Sequence, residues 1–255
     1  MITFNNIGYN GRFGNQMFQY AALIGFAKKS NLKYGFPESN SKIIKKIGEL
    51  QYDERFELDD CFNLKYDYPS VNPEYYFFEN NIFCKLPDNT DINGYFQSEK
   101  YFVNVIDEIK SQFTFKSHII EESKTLFQNA EEYVSVHIRR GDYVNLQDYH
   151  TLLNSEWYKN AMSLFLTDKF LFFSDDIEWC KNEFGKKYLY AENTNKFVDM
   201  CTMSRCAGHI IANSSFSWWA AYLGGNKTVA PKSWFGPKIS YKNNLDIYPK
   251  NWIVL

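Results

Sequence analysis

No run of about 18 apolar residues occurs in the 255-residue chain, so no membrane-spanning helix is expected. No signal-peptide pattern opens it either. The five cysteines, Cys61, Cys84, Cys180, Cys201 and Cys206, are scattered, odd in number and form no C-x-x-C. That excludes a cysteine-framed zinc site and a disulfide framework, and it predicts reduced thiols in a cytoplasmic protein. Charge of one sign is also missing. The 28 Lys and Arg nearly balance the 30 Asp and Glu, for a net charge of −2, and no basic block stands out. A general nucleic-acid binder is excluded on that ground, and any basic site must be local. The longest charged cluster, KIIKKIGE at 42–49, reads as a solvated helix face. There is no internal repeat and no low-complexity segment.

What is abundant is aromatic residues: 23 Phe and 19 Tyr contribute to an aromatic share of 19% within a 45% hydrophobic chain. A sizeable aromatic-rich core follows, and disorder is excluded. The chain opens with a strand-like ITFNNIGY, a glycine turn NGRFG, and a helix-spaced NQMFQYAALIGFAKKS that ends in basic residues. LKYGF (32–36) reads as the next strand, residues 37–91 carry no clear period, and helices are expected over about 99–112 and 118–130.

From residue 133 the pattern is regular. Strands VSVHI, KFLFFS, YLYA, HIIA and KTVA alternate with helices starting near 154, 176, 195 and 215. This spacing predicts a parallel, doubly wound sheet. A boundary near 130 divides the chain into an α/β half (1–130) and a Rossmann-like half (131–255).

Ligands of such sheets sit beyond the carboxyl ends of the strands. There the sequence places Arg139, Arg140, Gly141 and Asp142, then Ser174, Asp175 and Asp176, then Glu192 and Asn193, then Asn213, Ser214 and Ser215. Arginine offers a fork of donors to phosphate oxygens, and a helix opening at Ser214–Ser215 offers free N–H groups. Asp175 and Asp176 suit a ribose or guanine, although aspartates and serines at these places also serve as helix caps. A metal carboxylate pair is disfavoured, because adjacent aspartates at a helix start diverge. In the first half Gly11 and Gly14 permit close backbone approach, and Arg12, Asn15 and Gln16 can donate to a ligand.

GRFGNQMFQYAA (11–22), HIRRGDY (137–143), FFSDDIEWCK (172–181) and ANSSFSWWAAYLG (212–224) together resemble the α-1,2-fucosyltransferases of glycosyltransferase family 11, bacterial type. The resemblance implies a GT-B-like fold of two Rossmann-like halves with parallel sheets facing across a cleft. It implies L-fucose transfer with inversion from GDP-fucose to the 2-hydroxyl of a galactose-containing glycan acceptor, with no metal and no cofactor. It maps Arg139 to the β-phosphate and Arg140 to phosphate or to loop support. His137 and Asp142 order that motif. Ser214, Ser215 and Phe216 face phosphate and nucleoside, Asp175 and Asp176 form the nucleoside-side pair, and the Asn15 amide reaches the phosphates. Where α-1,6 relatives place a glutamate, this chain has Gln147, so Asp142, Asp148 and His150 all stand as candidates for the base. An O-antigen, capsular or free oligosaccharide acceptor is expected. Peripheral contact with a membrane bearing a lipid-linked acceptor is compatible with the sequence. A different GDP-sugar donor and a silent nucleotide-sugar binder are the alternatives.

Overall fold

The structure, a computed structural model, describes residues 1–8, 10–35, 43–47, 50–54, 56–65, 73–80, 82–240 and 246–255. Part of the unpatterned 37–91 region, including Tyr66 and Tyr68 among the aromatics there, lies outside the described residues. The chain forms two compact units, Met1–Lys116 and Ser117–Leu255.

The first unit contains β1 (Ile2–Thr3), α1 (Phe13–Ser30), β2 (Tyr34–Gly35), β3 (Ile43–Ile47), β4 (Leu50–Glu54), α2 (Leu58–Cys61), β5 (Tyr75–Phe78), β6 (Thr90–Asn93) and α3 (Ile106–Gln112). Its sheet is parallel, in the order β2-β1-β6-β5. The Asp91 carboxylate joins the two central strands: it accepts from Thr3 Oγ1 at 2.7 Å and from Asn5 N at 2.8 Å. Burial pushes its pKa up. Helix α1 is buried on all sides from Gln16 to Ala27, as its nearly continuous apolar run requires. It ends where Asn31 turns left-handed at φ 58°, after Lys28 and Lys29. A Cβ on Gly25 would lie 1.9 Å from the Tyr101 carbonyl oxygen, so the chain following β6 crosses directly over this helix.

Three local expectations change. Residues 43–47 form a strand antiparallel to β4 and not a helix face. The β-branched Ile43, Ile44 and Ile47 favour that state. The opening strand stops at Thr3, because the chain turns at once over Asn5–Gly8. The helix expected over 99–112 is two single 3₁₀ turns, Glu99–Tyr101 and Val103–Val105, followed by α3. The adjacent Tyr101 and Phe102 are both fully buried, and Phe102 leaves helical geometry (φ −140°, ψ 9°) to make that possible.

The second unit runs α4 (Ser117–Leu126), β7 (Val134–Ile138), α5 (Ser155–Met162), β8 (Phe170–Ser174), α6 (Ile177–Phe184), β9 (Leu189–Tyr190), α7 (Lys196–Arg205), β10 (Gly208–Ile210), α8 (Ser215–Gly224), β11 (Lys227–Ala230) and β12 (Ile253–Val254). Its parallel sheet has the order β9-β8-β7-β10-β11-β12. With β7 taken as first strand this is 3-2-1-4-5-6, the doubly wound order that opens a crevice between strands 1 and 4. Val134, Val136, Ile138, Phe170, Phe172, Ile210 and Val229 from four of these strands share one core cluster.

The boundary near 130 moves forward to Lys116/Ser117. Helix α4 packs on α7: Ser123 Oγ lies 2.8 Å from Thr202 Oγ1, and Arg205 bonds both Ser123 and Glu131. Residues 117–130 therefore belong to the second core. Among the described residues no helix is long and apolar enough to cross a membrane.

Candidate active site

The crevice of the second sheet lies between β7 and β10. Strand β7 delivers Arg139 and Arg140 there, and β10 delivers Asn213, Ser214 and Ser215. Two contacts tie these loops together. Tyr143 donates its hydroxyl to the Asn213 carbonyl at 3.0 Å, and the His137 ring lies 5.5 Å from that of Phe216.

The arginine loop is held by the loop after β8. Asp175 Oδ1 accepts from the backbone N–H of Arg140 at 2.9 Å and of Gly141 at 3.1 Å. Its Oδ2 pairs with Arg139 Nη1 at 2.6 Å, and Arg139 Nη2 pairs with Asp142 Oδ1 at 2.6 Å. Arg140 has a separate seat: its guanidinium stacks 4.0 Å from the Trp179 ring, and its Nε donates to Asp176 Oδ2 at 3.0 Å. Asp176 Oδ1 caps α6 by accepting from Trp179 N at 3.2 Å, and Ser174 Oγ accepts from Asp176 N at 2.9 Å. A Cβ on Gly141 would lie 2.6 Å from Asp175 Oδ2, so only glycine lets the carboxylate this close.

This division of labour refines the sequence reading. Arg139 is the arginine held at the tip, by two carboxylates. Arg140 is wedged against Trp179 and supports the loop. The oxygens of Asp175 and Asp176, expected to face a nucleoside, all have partners inside the arginine loop and α6.

The α8 side is open to an anion. Ser214 occupies the cap position in extended conformation, yet its hydroxyl caps no helix N–H, and the first turn holds no acidic residue. The helix is rigidly held: Trp218 Nε1 donates to the Ile247 carbonyl at 2.7 Å, and its ring stacks on Tyr222 at 4.6 Å. Asn213 turns inward and donates Nδ2 to the Trp234 carbonyl at 2.8 Å, so it shapes the turn.

His137 is 7% exposed, and its Nδ1 has no hydrogen-bond partner among the described residues. Burial first, then the neighbouring Arg139 cation, pushes its pKa down to about 4, so it is neutral at physiological pH. Asp148 is not part of the arginine cluster. Its carboxylate pairs with Lys238 at 2.7 Å, and the backbone of 148–150 bonds to 235–238. His150 stacks on Tyr143, with ring centroids 4.2 Å apart.

Sequence reasoning missed Asp199, in the first turn of α7. Its Oδ1 is buried without a partner among the described residues, the carboxylate accepts from Thr194, and burial raises its pKa to about 6. An unsatisfied buried acceptor at the rim suits a ligand N–H. Only its position one turn into a helix after a strand end signals it in the sequence.

In the first unit Gly14 is buried within α1, and Asn15 stands in the first turn of that helix. Gly11 has φ 107°, and a Cβ there would lie 2.0 Å from Asn15 Nδ2. Gln19 ties the same turn together, accepting from Gly8 N at 2.8 Å and donating to the Asn10 carbonyl at 3.2 Å. Among the described residues no group of three or more His, Cys, Asp or Glu is gathered to hold a metal ion.

Two units, each built on a parallel sheet, with basic and helix-terminus groups at the switch point of the second, make a GT-B-like α/β fold. Solved structures similar to it include POFUT1 in complex with GDP (TM-score 0.53, 13% identity, 90% of this chain and 97% of that one). The fucosyltransferase NodZ from Bradyrhizobium is similar too (TM-score 0.52, 12% identity, 86% and 91%). The chain belongs to glycosyltransferase family 11, whose family model matches residues 1–255. Relatives include an α-1,2-colitosyltransferase of Escherichia coli (30% identity, 95% of this chain and 96% of that protein). The O-antigen biosynthesis glycosyltransferase WbnK of the same organism is 26% identical over 96% and 98%. Galactoside α-(1,2)-fucosyltransferase 1 of Saimiri boliviensis boliviensis is 26% identical over 86% of this chain and 65% of its own length.

Proposed function

We propose that the protein transfers L-fucose from GDP-fucose to the 2-hydroxyl of a galactose residue, with inversion and without a divalent metal, in building an O-antigen, capsular or related oligosaccharide. The observation that carries this reading is Arg139, braced by Asp142 and Asp175 at the end of β7, beside the uncapped N-terminus of α8. When the bond between fucose and the β-phosphate breaks, negative charge grows on the leaving oxygen. A fixed guanidinium and free helix N–H groups stabilise that charge more than the ground state. Asp199 supplies an acceptor suited to the N–H edge of guanine. The GDP complex of POFUT1 and the α-1,2 linkage in the relatives' names support the choice of donor and linkage.

The attacking hydroxyl must lose a proton. His137 is buried and neutral, Asp142 is paired with Arg139 and Asp148 with Lys238, so either carboxylate would take the proton beside a cation, and Asp142, Asp148 and His150 all stay candidates for that step. A second donor is favoured by one finding: the relative at 30% identity is named for colitose, a fucose lacking its 3-hydroxyl. The test is GDP release in EDTA from GDP-fucose and from its 3-deoxy counterpart, with and without a β-galactoside. Acceptor-dependent release from GDP-fucose supports the reading, and preference for the 3-deoxy donor replaces it by the second. GDP binding without release from either donor leaves only a silent binder. The cytoplasmic setting and a peripheral membrane contact belong to the same proposal; vesicle flotation with a lipid-linked acceptor tests the latter.

A further inference from the structure

The loop after β6 in the first unit, Gly94–Gln97, is held in a costly conformation. Phe96 is fully buried and has φ 51°, a left-handed value that an aromatic residue rarely adopts. Side chains from elsewhere hold this loop. Gln19 Nε2 donates to the Gly94 carbonyl at 3.4 Å, Asn10 Nδ2 donates to Asn93 Oδ1 at 2.8 Å, and Glu79 Oε2 accepts from Tyr95 N at 2.8 Å. The product of this strain is a single side-chain contact: Gln97 Nε2 donates to Asn15 Oδ1 at 2.8 Å, across 82 positions of sequence.

That contact fixes which end of the Asn15 amide is engaged within the unit. A side-chain amide has one accepting oxygen and one donating NH₂ group. With its oxygen engaged by Gln97, Asn15 keeps Nδ2 for a ligand, and the tight Gly11 turn packs beside that same nitrogen. We infer that Gln97 is a positioning residue that holds Asn15 as a hydrogen-bond donor toward an anionic or hydroxyl-bearing ligand. The inference rests on the proposed GDP-sugar reaction, to which the family resemblance assigns the Asn15 amide. Strain stored at Phe96 is then part of the site, since relaxing the loop would move Gln97 away from Asn15.

Gln97→Glu tests it. An ionised glutamate accepts only, so it binds Asn15 Nδ2 and turns the oxygen outward. A protonated glutamate donates as glutamine does. At pH 7.5 a glutamate with the ordinary pKa of about 4.3 is almost wholly ionised. The kcat/KM of Gln97→Glu should therefore fall below that of Gln97→Ala by about 10-fold, on the scale of one hydrogen bond to a charged group, because alanine leaves the Asn15 amide free to turn and glutamate holds it the wrong way round. A merely space-filling role predicts the opposite order, since glutamate has the shape of glutamine. Melting curves check that both variants fold. A folded Gln97→Glu at least as active as Gln97→Ala overturns the inference, as does full kcat/KM for Gln97→Ala. Absence of GDP release by the unsubstituted protein removes the reading beneath it, and the inference with it. Normal release with Gln97→Glu above Gln97→Ala removes the inference alone.

Discussion

Replacing Asp175 by alanine removes the carboxylate on which the arginine loop is built. Three charge-assisted hydrogen bonds end there: from Arg139 Nη1 at 2.6 Å, Arg140 N at 2.9 Å and Gly141 N at 3.1 Å. Each such bond is worth about 1.5–3 kcal/mol. The Arg139 and Asp175 side chains are 21% and 26% exposed, so water and Asp142 recover part of the loss. A net destabilisation of about 3 kcal/mol follows, which lowers Tm by about 6–12 °C in a chain of this size. Arg139 keeps only Asp142, and a displacement of about 1 Å at a charge-stabilising group lowers kcat by about 10- to 100-fold. Asp175→Asn keeps one oxygen for the two backbone N–H groups, so it should regain most of the Tm. Its NH₂ would face the Arg139 guanidinium, donor against donor, so turnover should stay low. Melting followed by circular dichroism, with GDP release at saturating donor, measures both. An Asp175→Ala variant with unchanged Tm and turnover would refute this account of the loop.

Further expectations concern the same elements. Arg139→Ala should lower turnover by at least about 100-fold, as for loss of a transition-state donor, and should also lower Tm through its two lost ion pairs; near-normal activity would sink its assignment. Arg140→Ala should lower Tm with a smaller fall in turnover, because it loses the Trp179 stack and the Asp176 pair; a larger fall in kcat than for Arg139→Ala would exchange their roles. Gly141→Ala forces a methyl against Asp175 Oδ2 and should cost about 1–3 kcal/mol of stability, readable as a shift in urea midpoint. His137 and His209 are both buried with pKa values near 4, against about 6.5 in the unfolded chain. Between those values the unfolded state binds the extra protons, so each histidine withdraws stability as pH falls from 6.5 to 4, about 3 kcal/mol in total apiece. His209→Gln should flatten the stability–pH slope in that window by about 1.4 kcal/mol per pH unit; an unchanged slope would contradict it.

The second unit was largely legible because each of its elements carries its own local signal. VSVHI and KFLFF are apolar enough to be buried strands on composition alone, and Asn154, Asp176 and Asn195 mark their helix starts by capping. β12 is two residues long and pairs with β11 at the sheet edge, so no periodicity betrays it. The first unit was less legible because its strands are short and its order comes from contacts distant in sequence. β1 is defined by pairing with Tyr34–Gly35 and Thr90–Asp91, not by its own pattern. Of the site, the residue types at each strand end were readable, since they follow directly from topology. Their pairings were not. That Asp175 serves backbone N–H groups, or that Gln97 meets Asn15, depends on loop geometry that spacing does not encode.

The Asp91 staple has a consequence for how such enzymes diversify. It locks the two central strands of the first sheet to each other, at Thr3 and Asn5, whatever lies between them in sequence. Once those ends are joined, doubling the intervening length adds only about 0.6 kcal/mol of closure entropy. Insertions between β2 and β6 that spare β5 and the buried Phe56, Leu58, Cys61 and Phe62 therefore load the closure of this sheet only lightly. The chain length between the two central strands can drift while the strands themselves, and the turn carrying Asn15, keep their places.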